Sequence, residues 1–312
     1  MDVETTARSR QFSSKFAALN ISMPGASALI ANYTRGMLPP IHIVIEDLLS
    51  ITSEDMLPRE RLQVFCAICS PLALNPQSIG GQVESVFFRV ATFLVCSVTS
   101  QKCEVSELAN ALCSLCCNLV AHLLQEEGTF SDHSSQSSLQ LLLNFILECM
   151  SNSHFAAPFN LSFGSKGFVY LLVVCEECTA HVLSVDIASE TGSSMLEYMW
   201  SIYLLVASVF ASSAAHDVDA SHFQNFVCQV SNAMIITKDY LQLFRRTNDL
   251  AGVVSKIASV VSIRPQSNVM SSFFVQCFDV ICRLRTFYLS RGQVDLLLCF
   301  LDCVAAVADY SR

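Results

Sequence analysis

From residue 59 onward the chain reads as ten apolar stretches of helical length separated by short polar joints. The stretches are Arg59–Leu74, Gly81–Val98, Glu104–Gln125, Leu139–Ser151, Lys166–Val185, Met195–Ala215, Ala220–Ile236, Lys238–Ile263 (with a break expected near Asp249–Gly252), Ser271–Ser290 and Gln293–Tyr310. In the third, Val105, Leu108, Leu112, Leu115, Leu119 and His122 recur at spacings of three and four, which puts them on one helical stripe. Asn110, Ser114, Cys117 and Asn118 fall off that stripe. In the last, Asp295, Asp302 and Asp309 share one face, and Val294, Leu297, Leu298, Leu301, Ala305 and Ala308 take the other, which is expected to turn inward. Asp279 and Arg283 are spaced as an i,i+4 pair.

Breakers are scarce. The 312 residues hold 10 Gly and 8 Pro, about half the usual share of each. Few tight turns disfavour a sandwich or barrel and favour helices. The expectation is an all-α chain, with one local competitor, the β-branched and aromatic run Phe168–Cys175. Joints fall at Asn75–Ser78, Gly128–Ser138, Pro158–Gly167, Ser189–Ser194 and Arg264–Asn268. Ser137 or Ser138 is expected to cap the helix at Leu139, and Asn268 or Ser271 the one after Pro265. Gly128 and Gly292 stand where helices would end. Residues 1–57, which hold Pro24, Pro39 and Pro40, form an irregular lead-in, and 58–312 form the helical-repeat domain.

Paired, the stretches give units at 59–98, 104–151, 166–215, 220–263 and 271–310. Their spacing is near the roughly 40–47 residues of HEAT and armadillo units. Asn118 sits inside Leu115-Cys116-Cys117-Asn118-Leu119-Val120, and Asn144 inside Leu141-Leu142-Leu143-Asn144-Phe145-Ile146. Both look like the Leu-x-Asn-Leu core of an armadillo helix. Over 59–310 the chain resembles the armadillo/HEAT superfamily, although the Gly-rich first turn of a typical armadillo repeat is missing. The resemblance implies an irregular α-α superhelix of stacked antiparallel helix pairs, and a surface that recognises other proteins.

Composition adds to this. Hydrophobic residues make up 52% and charged residues 14%, against about 25% charged in an average domain, so much surface must be covered by a core, a partner or a membrane. Net charge is −9. Residues 61–237 carry 4 basic and 14 acidic side chains, and 238–291 carry 8 and 3. A dedicated nucleic-acid binder needs a stronger basic patch than Arg245, Arg246, Arg264, Arg283 and Arg285 supply, and no nucleic-acid partner is expected. Met1–Asn20 lacks an apolar signal core, which points to an intracellular, cytoplasmic or nuclear chain with reduced thiols. Sequons at Asn20, Asn32 and Asn160 then carry no glycan. Mitochondrial import is the alternative, with Phe12, Phe16 and Leu19 on one face near Arg8, Arg10 and Lys15, and with Asp2 and Glu4 against it.

Chemistry-bearing patterns are few. Among 15 cysteines, the pairs Cys66/Cys69, Cys113/Cys116 (with Cys117) and Cys175/Cys178 are too far apart to share a zinc and lie within apolar stretches. The core-packing reading competes with a Cys-rich metal or redox protein. Cys175, Cys178 and His181 make the best three-ligand set. His42, His133, His154, His216 and His222 have no ligand spacing. Gly164-Ser165-Lys166-Gly167 lacks the phosphate-loop frame. The pairs Glu46/Asp47, Glu126/Glu127 and Glu176/Glu177 are adjacent, so their members diverge on a helix. No catalytic, cofactor-binding or metal residue is assigned, no cofactor is expected, and the chain reads as no enzyme.

The membrane reading rests on Met195–Ala215, with Tyr198, Trp200 and Tyr203 placed as an interfacial belt. No Lys or Arg flanks it, and a helix buried among neighbours reads the same way. The expected function is a protein-interaction scaffold or adaptor in a larger complex, homo-oligomers included. Its alternative is a membrane protein anchored by 195–215.

Overall fold

The computed structural model describes residues 102–125, 130, 133–214, 220–238, 240, 247–263 and 267–284, and single helical positions at 294, 298, 299, 301 and 305. Its elements are α1 Lys102–Gln125, α2 His133–Ser151, α3 Ala156–Ser184, α4 Glu190–Ser213, α5 Ala220–Thr237, α6 Thr247–Ile263 and α7 Ser267–Leu284. Among the described residues there is no strand, and Phe168–Cys175 lies inside α3. The lead-in and the two stretches Arg59–Leu74 and Gly81–Val98 lie outside the described residues.

Helix starts depart most from expectation, because polar first turns resemble loops. Asn152 caps the turn that leads into α3, its Oδ1 accepting from the His154 and Phe155 N–H at 3.0 Å. Pro158 then falls in the first turn of α3, where its missing N–H costs nothing, so the expected Pro158–Gly167 joint narrows to Gly164, where two helices meet at a kink. The one interruption is Gly164, at φ 47° and ψ −161°, a conformation open in practice only to glycine. Ser189 caps α4, accepting from Gly192 N–H at 3.0 Å, so that helix begins before Met195. Ser137 caps nothing: it lies inside α2 and donates to His133 O at 2.8 Å. α7 begins at Ser267, ahead of both expected caps. Asp249–Gly252 is the unbroken start of α6.

The chain forms two compact units. One holds α1 through Leu123 together with Asn152–Phe163; the other holds Leu124–Ser151 and everything from Gly164 on. In the first, Val105, Leu108, Leu112, Leu115 and Leu119 are buried as the stripe requires, and Cys117 is buried as well. The Cys113 thiol donates to Phe159 O at 3.4 Å. Phe155, Phe159 and Phe163 stack at successive turns with centroids 5.6 and 5.7 Å apart. The sequon residue Asn160 is buried, its Nδ2 donating to Ala156 O at 2.9 Å.

The second unit is organised around α4, which packs against α2, α5 and α6. The Tyr203 hydroxyl lies 2.9 Å from Thr179 Oγ1 of α3, and Phe210 contacts Phe168 at 5.0 Å between centroids. Partner numbers fall as those of α4 rise, so α3 and α4 are antiparallel. α4 and α5 are antiparallel too: Phe210 meets Phe223, and Trp200 Nε1 donates to Thr237 Oγ1 at 2.9 Å. Second neighbours instead run in the same direction. Gln140 reaches Ser201 and Ser151 reaches Ser212, both 61 residues on. Between α5 and α7, Met234 meets Cys277 at a separation of 43 residues, and Lys238 pairs with Asp279 at 41 and 3.2 Å.

Two glycines set close approaches. A Cβ on Gly192 would strike the backbone of the turn before α4, at Asp186 O and 2.6 Å from Ile187 Cα. On Gly252 it would meet only the end of Leu204 on α4, at 2.8 Å. Gly192→Ala is therefore expected to cost about 1–3 kcal/mol, since backbone cannot rotate aside. Gly252→Ala should stay near neutral, because a gain of about 1 kcal/mol in helix propensity offsets the shift of Leu204. Urea melts of both variants check this, and equal midpoints would contradict it.

Candidate interaction surface

The cysteine pairs face inward. Cys113, Cys116 and Cys117 on α1, and Cys175 and Cys178 on α3, are all buried free thiols. Burial pushes the Cys113 thiol far above its usual range, and the neighbouring Cys116 and Cys117 raise it further. Burial likewise raises Cys116, Cys175 and Cys178. Buried in this way, these side chains pack as small apolar groups. Among the described residues no three His, Cys, Asp or Glu side chains are grouped to hold a metal. His181 is half-buried, with its ring 6.2 Å from that of Phe130. Cys66/Cys69 lies outside the described residues.

The remaining polar candidates scatter. His122 is half-buried, His133 and His154 are exposed, and His222 is buried with its ring 6.3 Å from Phe168. Glu176 and Glu177 are exposed on α3. Lys166 lies 5.9 Å from the Tyr170 ring centroid, a cation–π contact. Asn144 is exposed and donates to Gln140 O at 2.9 Å; Asn118 is half-buried. Asp279 pairs with Lys238, and the Arg283 side chain lies outside what the structure describes. His42, His216, Glu46/Asp47, Glu126/Glu127, Arg245, Arg246, Arg264 and Arg285 lie outside the described residues.

The belt-like aromatics of α4 have their polar ends engaged within the protein. Besides the Trp200 and Tyr203 bonds, the Tyr198 hydroxyl donates to Gln136 O at 3.3 Å. Burial raises the Tyr198 and Tyr203 phenols well above their usual range. Among the described residues, 3 helices are long and apolar enough to cross a membrane: Val105–Gln125 of α1, α3 and α4.

What the surface offers is apolar area. Val275 and Phe278 on α7 are exposed, as are Val294, Leu298 and Leu301. Those last three were expected to face inward, and the structure turns them out. A concave site also opens in the second unit. Leu183, Val185 and Ile187 line one wall with Asp186 among them, and Ile235, Ile236 and Tyr240 line the other, around a groove of about 400 Å³. Leu183 is 61% exposed and Ile235 41%. The turn that carries Asp186 is fixed by its own bonds: Asp186 Oδ1 accepts from Ala188 N–H at 3.1 Å, and Asp186 O accepts from Ser189 Oγ at 2.6 Å. None of these groove residues stands out in the sequence, because nothing in the periodicity of either wall says that the two walls meet. Compared with known proteins, the chain matches no family model, no curated protein and no solved structure.

Proposed function

We propose that this chain is a non-enzymatic protein-interaction scaffold, a subunit of a larger intracellular complex, built as an irregular α-α superhelix of the armadillo/HEAT kind. One observation carries the reading. Antiparallel neighbours combine with parallel second neighbours at near-constant sequence offsets, 61 residues between α2 and α4 and 41 to 43 between α5 and α7. Helix pairs laid side by side would pack in this way, and such stacks work through extended surfaces. Exposed apolar side chains at Leu183, Ile235, Val275 and Phe278 suit a partner-binding role.

Affinity purification of the tagged full chain from detergent-free lysate, with quantitative mass spectrometry, tests this. The expected result is soluble chain accompanied by at least one partner near equimolar amount. A chain that purifies alone contradicts the scaffold. A chain that stays in membranes after carbonate washing replaces it with the membrane alternative.

A further inference from the structure

The groove between the α3–α4 turn and the end of α5 has a distinct charge setting. Six of its lining residues come from a stretch with no Lys or Arg between Lys166 and Lys238, in which seven carboxylates occur, and the seventh, Tyr240, lies just past Lys238. Glu176, Glu177, Asp186 and Glu190 are all exposed on the α3–α4 hairpin. Lys238, the nearest cation in sequence to the far wall, is paired with Asp279 on α7 at 3.2 Å. The groove therefore presents aliphatic walls edged by Tyr240, a carboxylate at Asp186, and further exposed carboxylates on the hairpin that forms one wall.

We propose that this groove docks a basic amphipathic segment of a partner protein. A bulky aliphatic side chain of the partner sits between Leu183 and Ile235, and a Lys or Arg faces Asp186. The aliphatic contact supplies the anchor, as in helix-in-groove recognition. The carboxylates steer a cationic partner toward it and discriminate against acidic ones. This rests on the scaffold reading and names the chemistry of one of its partners.

The test uses the full chain and a fluorescein-labelled 18-residue synthetic helix with leucines along one face and lysines elsewhere, read by fluorescence anisotropy. Leu183→Asp and Ile235→Asp change exposed side chains, and circular-dichroism melts confirm that each variant folds. Either variant is expected to weaken binding at least tenfold, although each makes the protein more negative. Asp186→Asn, which keeps an acceptor for Ala188 N–H, weakens binding about threefold, and added salt does the same. Attraction to a generally acidic surface predicts the reverse, with Leu183→Asp binding as well as or better than the parent. That outcome, equal binding of a helix with glutamates in place of lysines, or no binding at all, overturns the proposal. Leu183→Asp also separates the two readings. If it keeps every co-purifying partner and leaves peptide binding unchanged, the groove assignment falls and the scaffold stands. If the parent chain itself captures no partner, the scaffold falls.

Discussion

Between pH 8 and pH 11, under reducing conditions, the protein is expected to lose its fold. Cys113, Cys116, Cys175 and Cys178 are buried, and burial raises all four thiols. In the unfolded chain the same groups ionise near pH 8.5. Because the folded pKa lies above the unfolded one, the stabilisation is complete below about pH 8.5 and diminishes as pH rises. Each such thiol removes a little over 1 kcal/mol per pH unit in that range. Four together remove about 5 kcal/mol per unit, against a total of about 5–15 kcal/mol for a domain. The buried Tyr198 and Tyr203 phenols add to the loss above about pH 10. Thermal melts followed by circular dichroism give the profile. A melting temperature flat from pH 8.5 to 10.5 would show that the thiols titrate freely. Cys175→Ala with Cys178→Ala should lower stability at pH 7 yet flatten the alkaline slope by about two protons, a change that a merely weakened core would not produce.

Replacing Trp200 with alanine is expected to cost about 3–5 kcal/mol, the range for emptying a large aromatic site in a packed core. Trp200 is fully buried at the centre of α4. Its ring lies 5.6 Å from that of Tyr203, which lies 6.0 Å from Phe226, and Phe226 stacks 5.0 Å from Phe210. The truncation also leaves Thr237 Oγ1 without its indole donor, while its own bond to Ala233 O at 2.8 Å persists. Trp200→Phe keeps most of the bulk and should cost about 1–2 kcal/mol, chiefly the hydrogen bond. Urea unfolding followed by circular dichroism distinguishes the two. A Trp200→Ala midpoint within error of the parent would place this side chain at a boundary, as an interfacial belt requires, and not in a core.

Periodicity carried far in the sequence. The Val105–Leu119 stripe marks the buried face of α1, and Ala220–Ile236 matches α5 to within one residue. Helix starts were less legible. Ser189 satisfies an N–H group in the first turn of α4 and Asn152 those of the turn before α3, and the same residue types mark loops, so such segments read as joints. The groove was illegible for a different reason. Hydrophobic spacing identifies an apolar face but not whether a neighbour covers it. Leu183 and Ile235 follow the same spacing as core residues and are nevertheless exposed. The long run without Lys or Arg was the one available signal, and by itself it names no site.

The asymmetry of helix partners in the second unit bears on how it would come apart. α4 is wedged among α2, α3, α5 and α6, whereas α7 has α5 as its main support, through Cys277, Met234 and the Lys238–Asp279 bridge. Pulled from its C-terminal side, this unit would peel rather than snap. Of the described helices in this unit, α7 would detach before α4, and the aromatic centre around Trp200 would give way late, so a protease working inward would leave fragments that still contain α4.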